Sequence, residues 1–142
     1  VTTILLTIII LILLTLAVRS DGETRSICGL WLNDVEQQGW RLLQPQRFIN
    51  RRVGLLNTPA LPARHGILLR TRSVHMTGML FPLDLVAIDR HGRVLQIAEN
   101  VAPNTATPRF PRSTSHILEI AAGQCATLAL RPGDHLSFGD RV

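Results

Sequence analysis

Between residues 75 and 119 lie seven side chains able to move a proton or hold a cation: His75, Asp84, Asp89, His91, Glu99, His116 and Glu119. A histidine and carboxylates brought together on adjacent strands could bind a divalent metal or run acid–base chemistry. The spacing, however, contains no H-x-x-x-H pair, and no Ser, Cys or Lys stands in a nucleophile context. Carboxylates on hairpins more often accept backbone hydrogen bonds. No residue is therefore assigned as catalytic, no metal set is assigned and no cofactor is expected. His75, Asp84, Arg52, Asp89 and Glu99 are kept as candidates for touching a ligand or a partner.

The elements that would position them are strands. Residues 74–89 (VHMTGMLFPLDLVAID) have an aliphatic run after Pro82 that is too short for an ordinary helix. Residues 90–93 then form a turn and residues 94–97 resume the apolar pattern, which is a hairpin signal. Asp89 and Gly92 bracket that turn for ordinary reasons, since Asp accepts nearby amides and Gly tolerates positive φ. Arg52 and Gly54 fall in residues 45–56, whose apolar positions at three- to four-residue spacing after Pro45 suit one short amphipathic helix. There Gly54 would allow close approach to a sheet, and Arg52 would pair with a carboxylate, Asp84 being the expected partner. Pro82 shapes the entry to the Asp84 strand. Pro132-Gly133-Asp134 is turn chemistry of type II, with Asp134 expected to cap amides at the start of the last strand.

Further strands are expected at residues 27–32, 40–43, 67–69, 116–120 and 135–138, and a short helical turn within 121–130. Residues 99–115, with three prolines and no periodicity, read as a long loop. Trp31 and Trp40 are expected to pack in the core or near a membrane. Cys28 and Cys125 match no metal spacing; they form one disulfide outside the cytoplasm or remain two small apolar residues. Counted together, these segments predict an all-β domain of at least six strands.

The chain has 142 residues, 46% hydrophobic and 18% charged, which leaves room for one domain and something extra. The extra is residues 1–18, an uncharged run broken only by threonines, long enough to cross a bilayer core as a helix. Residues 1–19 are read as a retained membrane anchor in preference to a cleaved signal, because no basic residue precedes the apolar core and the only tolerable cleavage site is poor. Residues 20–28 follow as a polar linker and residues 29–139 as the domain. A helix of this kind is expected to meet membrane lipid and to bring the domain to protein partners in a membrane complex. The net charge is +5 and every basic residue is arginine. Those arginines are dispersed and aromatics are scarce, so no nucleic-acid partner is expected.

With these segments in view, residues 29–138 resemble the DUF192 family of small bacterial and archaeal domains. The motifs concerned are RFINRRVGLL (47–56), LPARHGILL (61–69), VHMTGMLFPLDLVAIDRHGRVL (74–95), ILEIAAG (117–123) and LRPGDHLSF (130–138), matching in order and spacing. The resemblance implies a compact, mainly antiparallel β-fold, a sandwich or jelly-roll-like barrel with one or two short helices, and no established activity. The family often carries an aromatic-Met-Lys-Asn/Thr or His-Thr-aromatic segment where this chain has His75-Met76-Thr77-Gly78, and often a cysteine near Thr71. Many such proteins also carry export signals, which implies an extracytoplasmic, periplasmic domain, whereas Arg19 and Arg25 after the apolar run, read literally, favour the cytoplasm. Two functions follow: a membrane-held, non-catalytic accessory domain, or an enzyme or metal- or ligand-binding domain using the His75/Asp84 region.

Overall fold

The computed structural model describes residues 26–44 and 60–139. They build one seven-stranded sheet: β1 (Ser26–Leu32), β2 (Val35–Gln44), β3 (His65–Leu69), β4 (Leu83–Asp89), β5 (Val94–Val101), β6 (Thr114–Ala121) and β7 (Leu136–Gly139). One helical turn, α1 (Gln124–Thr127), precedes β7. In space the strands run β5-β4-β6-β3-β2-β1-β7. The mainly β expectation therefore holds, with one correction. The strands form a single mixed sheet rather than an antiparallel sandwich, because β2 and β3 pair in parallel through Arg41–His65, Leu42–Gly66 and Leu43–Ile67. A parallel pair cannot be closed by a tight turn and needs a longer connection between its strands.

The expected helix over 45–56, with Arg52 and Gly54, and the apolar run 1–18 lie outside the described residues. Among the described residues no helix is long and apolar enough to cross a membrane.

Three strands are longer than their apolar cores suggest. Residues 37–39, expected to separate two strands, lie within β2 as an irregularity in the β1–β2 pairing. There Trp40 turns into the core while its exposed neighbours stay in solvent. Asn33 and Asp34 both adopt positive φ, 48° and 66°, as the two-residue turn of that hairpin. At the other end of the chain β5 continues to Val101 and β6 begins at Thr114, so the proline-rich loop is shorter than expected.

Alternation along the strands sends side chains into two apolar layers. Leu30, Leu42, Leu68, Val86, Ile88, Leu118, Ile120 and Leu136 meet on one face with both cysteines and Trp40. Ile67, Leu69, Leu83, Leu85 and Ile117 meet on the other, covered by Met76, Met79 and Phe110 from the loops. The sheet curls until its edges touch at one end. Arg93 bridges His135, Val94 N donates to Asp134 O at 2.8 Å, and Leu136 N donates to Gly92 O at 2.8 Å. The first layer thus becomes an interior core enclosed by the sheet.

Cys28 and Cys125 both lie in this core as buried thiols and share no disulfide. Burial first, then the nearby charge of Asp84 and its side-chain hydrogen bond, and the charge of Glu99, push the Cys125 thiol far up.

Candidate functional site

Asp84 sits in β4 with no solvent exposure, and both its oxygens are taken by backbone amides. Oδ1 accepts from Asn100 N at 2.8 Å, and Oδ2 accepts from Gly123 N at 3.1 Å and Cys125 N at 3.0 Å. A buried charge is tolerable when it is hydrogen-bonded in this way. One carboxylate thus ties β4 to β5 and to the start of α1. His75, exposed in the segment between β3 and β4, makes no hydrogen bond to Asp84. Arg52, the partner the sequence suggested for Asp84, lies outside the described residues. Pro82 is half-buried directly before β4, and Glu99 is exposed on β5, close enough for its charge to reach Cys125.

Asp89 ends β4 and organises the turn that follows. Its Oδ1 accepts from His91 N at 2.8 Å and Arg93 N at 3.0 Å. Burial raises its carboxyl, but those two amides, with the charge of Arg93 and the electrostatic effect of His91, outweigh burial and hold it below the usual range. Gly92 occupies φ +86°, and a Cβ there would overlap the carbonyl oxygen of Leu136. Asp134 closes a comparable turn. Its Oδ2 accepts from Arg131 N at 2.8 Å, and its Oδ1 accepts from the Asn33 side chain at 3.1 Å. It therefore caps the turn's own first residue and pins the β1–β2 turn, rather than capping β7 as the sequence reading had it. Those two bonds hold its carboxyl low against the small opposing effect of burial.

Where the curled edges meet, a cleft of about 310 Å³ opens. Its buried lining is Leu68, Ile88 and Leu136; above them stand the half-buried Gln44, His116 and Phe138. These last three are the next inward-facing positions beyond the core on β2, β6 and β7, so strand alternation alone delivers them to the opening. The β4–β5 turn adds Asp89, Arg90 and His91, and His135 joins from the approach to β7.

Each of the three histidines is held by one ring nitrogen. Arg90 Nε donates to His91 Nε2 at 3.1 Å, His135 Nε2 donates to His91 O at 2.8 Å, and His116 Nδ1 lies 2.8 Å from Ser115 Oγ. Burial, followed by the charge of Arg70, lowers the pKa of His116 and favours its neutral form. Among the described residues no three His, Cys, Asp or Glu side chains are placed to hold a metal ion.

The structure thus brings Asp89, His91 and His116 to one cleft and leaves His75, Asp84 and Glu99 elsewhere. His135 was missed by sequence reasoning. Its signal was weak: a histidine at the head of a short strand, directly after the Pro-Gly-Asp turn. Glu119 is buried on the opposite face of the sheet between Ile67 and Leu85, and burial pushes its carboxyl up to about 7.

A family model for DUF192, described as "Uncharacterized ACR", matches residues 34–138. Two crystal structures share the fold. One, of a protein of unknown function from Novosphingobium aromaticivorans, is 22% identical with a TM-score of 0.69 and covers 84% of this chain and 89% of its own. The other, of a candidate transcription regulator from Sinorhizobium meliloti, is 23% identical with a TM-score of 0.70 and covers 82% of this chain and 98% of its own. No curated protein matches the chain.

Proposed function

The chain belongs to the DUF192 family, and on that footing we propose that it is a non-catalytic binding domain held at a membrane, an accessory part of a membrane or envelope assembly. The observation that carries the non-catalytic reading is the use of its carboxylates. Asp84, Asp89 and Asp134 each accept backbone amides that the fold requires, so none is left to act as a general base without breaking a strand junction or a turn.

Support for the membrane comes from the sequence. An uncharged run over residues 1–18 would expose a large apolar surface in water, at a cost of about 25 cal/mol per Å². Lipid or other apolar helices relieve that cost, and the threonines in the run can bond back to its own carbonyls or pack against neighbours. The domain is proposed to lie on the extracytoplasmic side. The test is fractionation of a host expressing the full chain: retention in the membrane pellet after a carbonate wash supports the reading, and recovery in the soluble fraction beginning at Asp21 refutes it.

A second reading, ligand binding, is favoured by the cleft. The alternative centred on His75 and Asp84 loses support, because Asp84 is saturated by amides. Among the described residues three large apolar side chains are exposed, Ile27, Val35 and Leu80. They do not favour a docking patch, since Ile27 and Val35 stand at opposite ends of the β1–β2 hairpin.

A further inference from the structure

The cleft where the curled edges meet has a chemistry that the fold does not use. Its floor of Leu68, Ile88 and Leu136 is apolar, and Phe138 adds one aromatic face. The lining sets one carboxylate, Asp89, against one guanidinium, Arg90, so it favours neither an anion nor a cation. An ion brought there would lose hydration without a net opposite charge to replace it. The polar groups around the floor are both donors and acceptors. Ser115 Oγ donates to Ile88 O at 3.4 Å, so the proton in its 2.8 Å contact with His116 Nδ1 belongs to the ring, and His116 Nε2 is left as an acceptor. Burial, followed by the charge of Arg70, favours that neutral ring. His135 Nε2 donates to His91 O, a carbonyl that can only accept, which makes Nδ1 the acceptor of the neutral His135 ring. His91 is the reverse: its Nε2 accepts from Arg90 Nε, so the proton stands on Nδ1 as a donor. Among the described residues these three ring nitrogens have no protein hydrogen bond, and neither have the Gln44 amide and the Ser137 hydroxyl.

We infer that the cleft binds a neutral sugar, one pyranose ring lying with its C–H face on Leu68, Ile88 and Phe138 and its hydroxyls among His91, His116, His135 and Gln44. A hydroxyl both donates and accepts, so a ring of them satisfies donors and acceptors standing side by side, where a carboxylate would meet only the donors and an ammonium only the acceptors. A dry floor with a few convergent polar groups is the common build of a small-molecule site. The volume of 310 Å³ holds roughly ten water-sized groups at about 30 Å³ each, room for one pyranose and not for two. The inference deepens the ligand-binding reading of the cleft and rests on it; it is independent of the membrane anchor.

The experiment is saturation-transfer NMR on the full chain in lipid nanodiscs, with empty nanodiscs subtracted. The probes are the methyl β-D-glycosides of glucose, galactose and N-acetylglucosamine. Three controls split the chemistry: cyclohexanol has the ring with a single hydroxyl, phenylacetate carries a charge, and benzamide is neutral and flat. Saturable binding of at least one glycoside, with a Kd of about 1–10 mM and every control weaker by roughly five-fold, is the expected result. Gln44→Leu and His116→Phe each keep the bulk of the side chain and remove one hydrogen-bonding group, and each should weaken binding by roughly five-fold, circular dichroism confirming that both fold. A free sugar and the end unit of a glycan share this chemistry. Equal affinity for the best glycoside and for its trisaccharide supports the inference with a glycan end as the source, and loss of affinity for the trisaccharide supports it with the free sugar. Tighter binding of any control than of every glycoside would overturn the sugar assignment. So would an unchanged affinity in both variants, or no saturation by any glycoside at about 50 mM. The last of these leaves the membrane reading standing, whereas detection of a converted sugar would support the cleft and refute the non-catalytic reading.

Discussion

Replacing Asp84 by Asn tests whether one buried carboxylate joins three parts of the fold. The side chain keeps its shape but has a single acceptor oxygen, while three amides converge on it, from Asn100, Gly123 and Cys125 at 2.8 to 3.1 Å. If the amide oxygen faces Gly123 and Cys125, its NH2 faces the Asn100 N–H, donor against donor, and that amide is left without a partner. An orphaned donor of this kind costs about 1–3 kcal/mol, and the two surviving bonds each weaken by roughly 1 kcal/mol when the acceptor loses its charge. The total is about 3–5 kcal/mol, a large share of the roughly 5–15 kcal/mol that holds a domain of this size. Urea unfolding of the two proteins side by side measures the difference. Amide hydrogen exchange assigns it, with Asn100, Gly123 and Cys125 exchanging faster in the variant while the β1–β2 hairpin is unaffected. A loss below about 1 kcal/mol, or faster exchange spread evenly over the sheet, would refute the argument.

Other expectations follow from single residues. Burial raises the Glu119 carboxyl from its ordinary 4.5 to about 7, so the folded state binds the extra proton and stability falls as pH rises from 4.5 through about 7, by about 3 kcal/mol, before levelling off. Glu119→Gln should flatten that slope in unfolding curves recorded across the same range; an unchanged slope would place the titration elsewhere. Gly92→Ala forces a Cβ onto the Leu136 carbonyl in a left-handed conformation and should cost about 2–4 kcal/mol, whereas Gly133→Ala, at φ +95° with nothing within 4 Å, should cost only about 1 kcal/mol. Paired thermal melts compare them, and equal losses would contradict the steric argument. Cys28 and Cys125, buried thiols with Cys125 pushed strongly toward its protonated form, should resist iodoacetamide in the folded protein and both react in urea.

Much of the fold was legible because alternation and turn chemistry are local. The β4–β5 hairpin could be read from the aliphatic run ending at Asp89 and from Gly92, and both residues do in the structure what their types predict. The parallel pairing of β2 with β3 was not legible, because register between distant strands is set by tertiary packing and not by either strand's own pattern. The extent of β2 was misjudged for a related reason. Gly39 reads as a break, yet the strand continues past it because Trp40 gains a place in the core. The cleft was only half visible. His91 and His116 stood out as residue types, but their convergence with His135 depends on the sheet curling until Arg93 reaches His135, a closure with no sequence signature. Asp84 stood out as a candidate and as the expected partner of Arg52, and the partners the structure gives it are amides from β5 and the start of α1 that no spacing rule would select.

The central claim is that this domain works at a membrane, on its extracytoplasmic side. The most direct test adds protease to intact spheroplasts expressing the full chain, then washes the membranes with carbonate and probes both fractions for the domain. The account predicts that the chain stays with the membrane through the wash and that the domain is digested from outside. Protection of the domain until the spheroplasts are lysed, or its release into the soluble fraction, would contradict it.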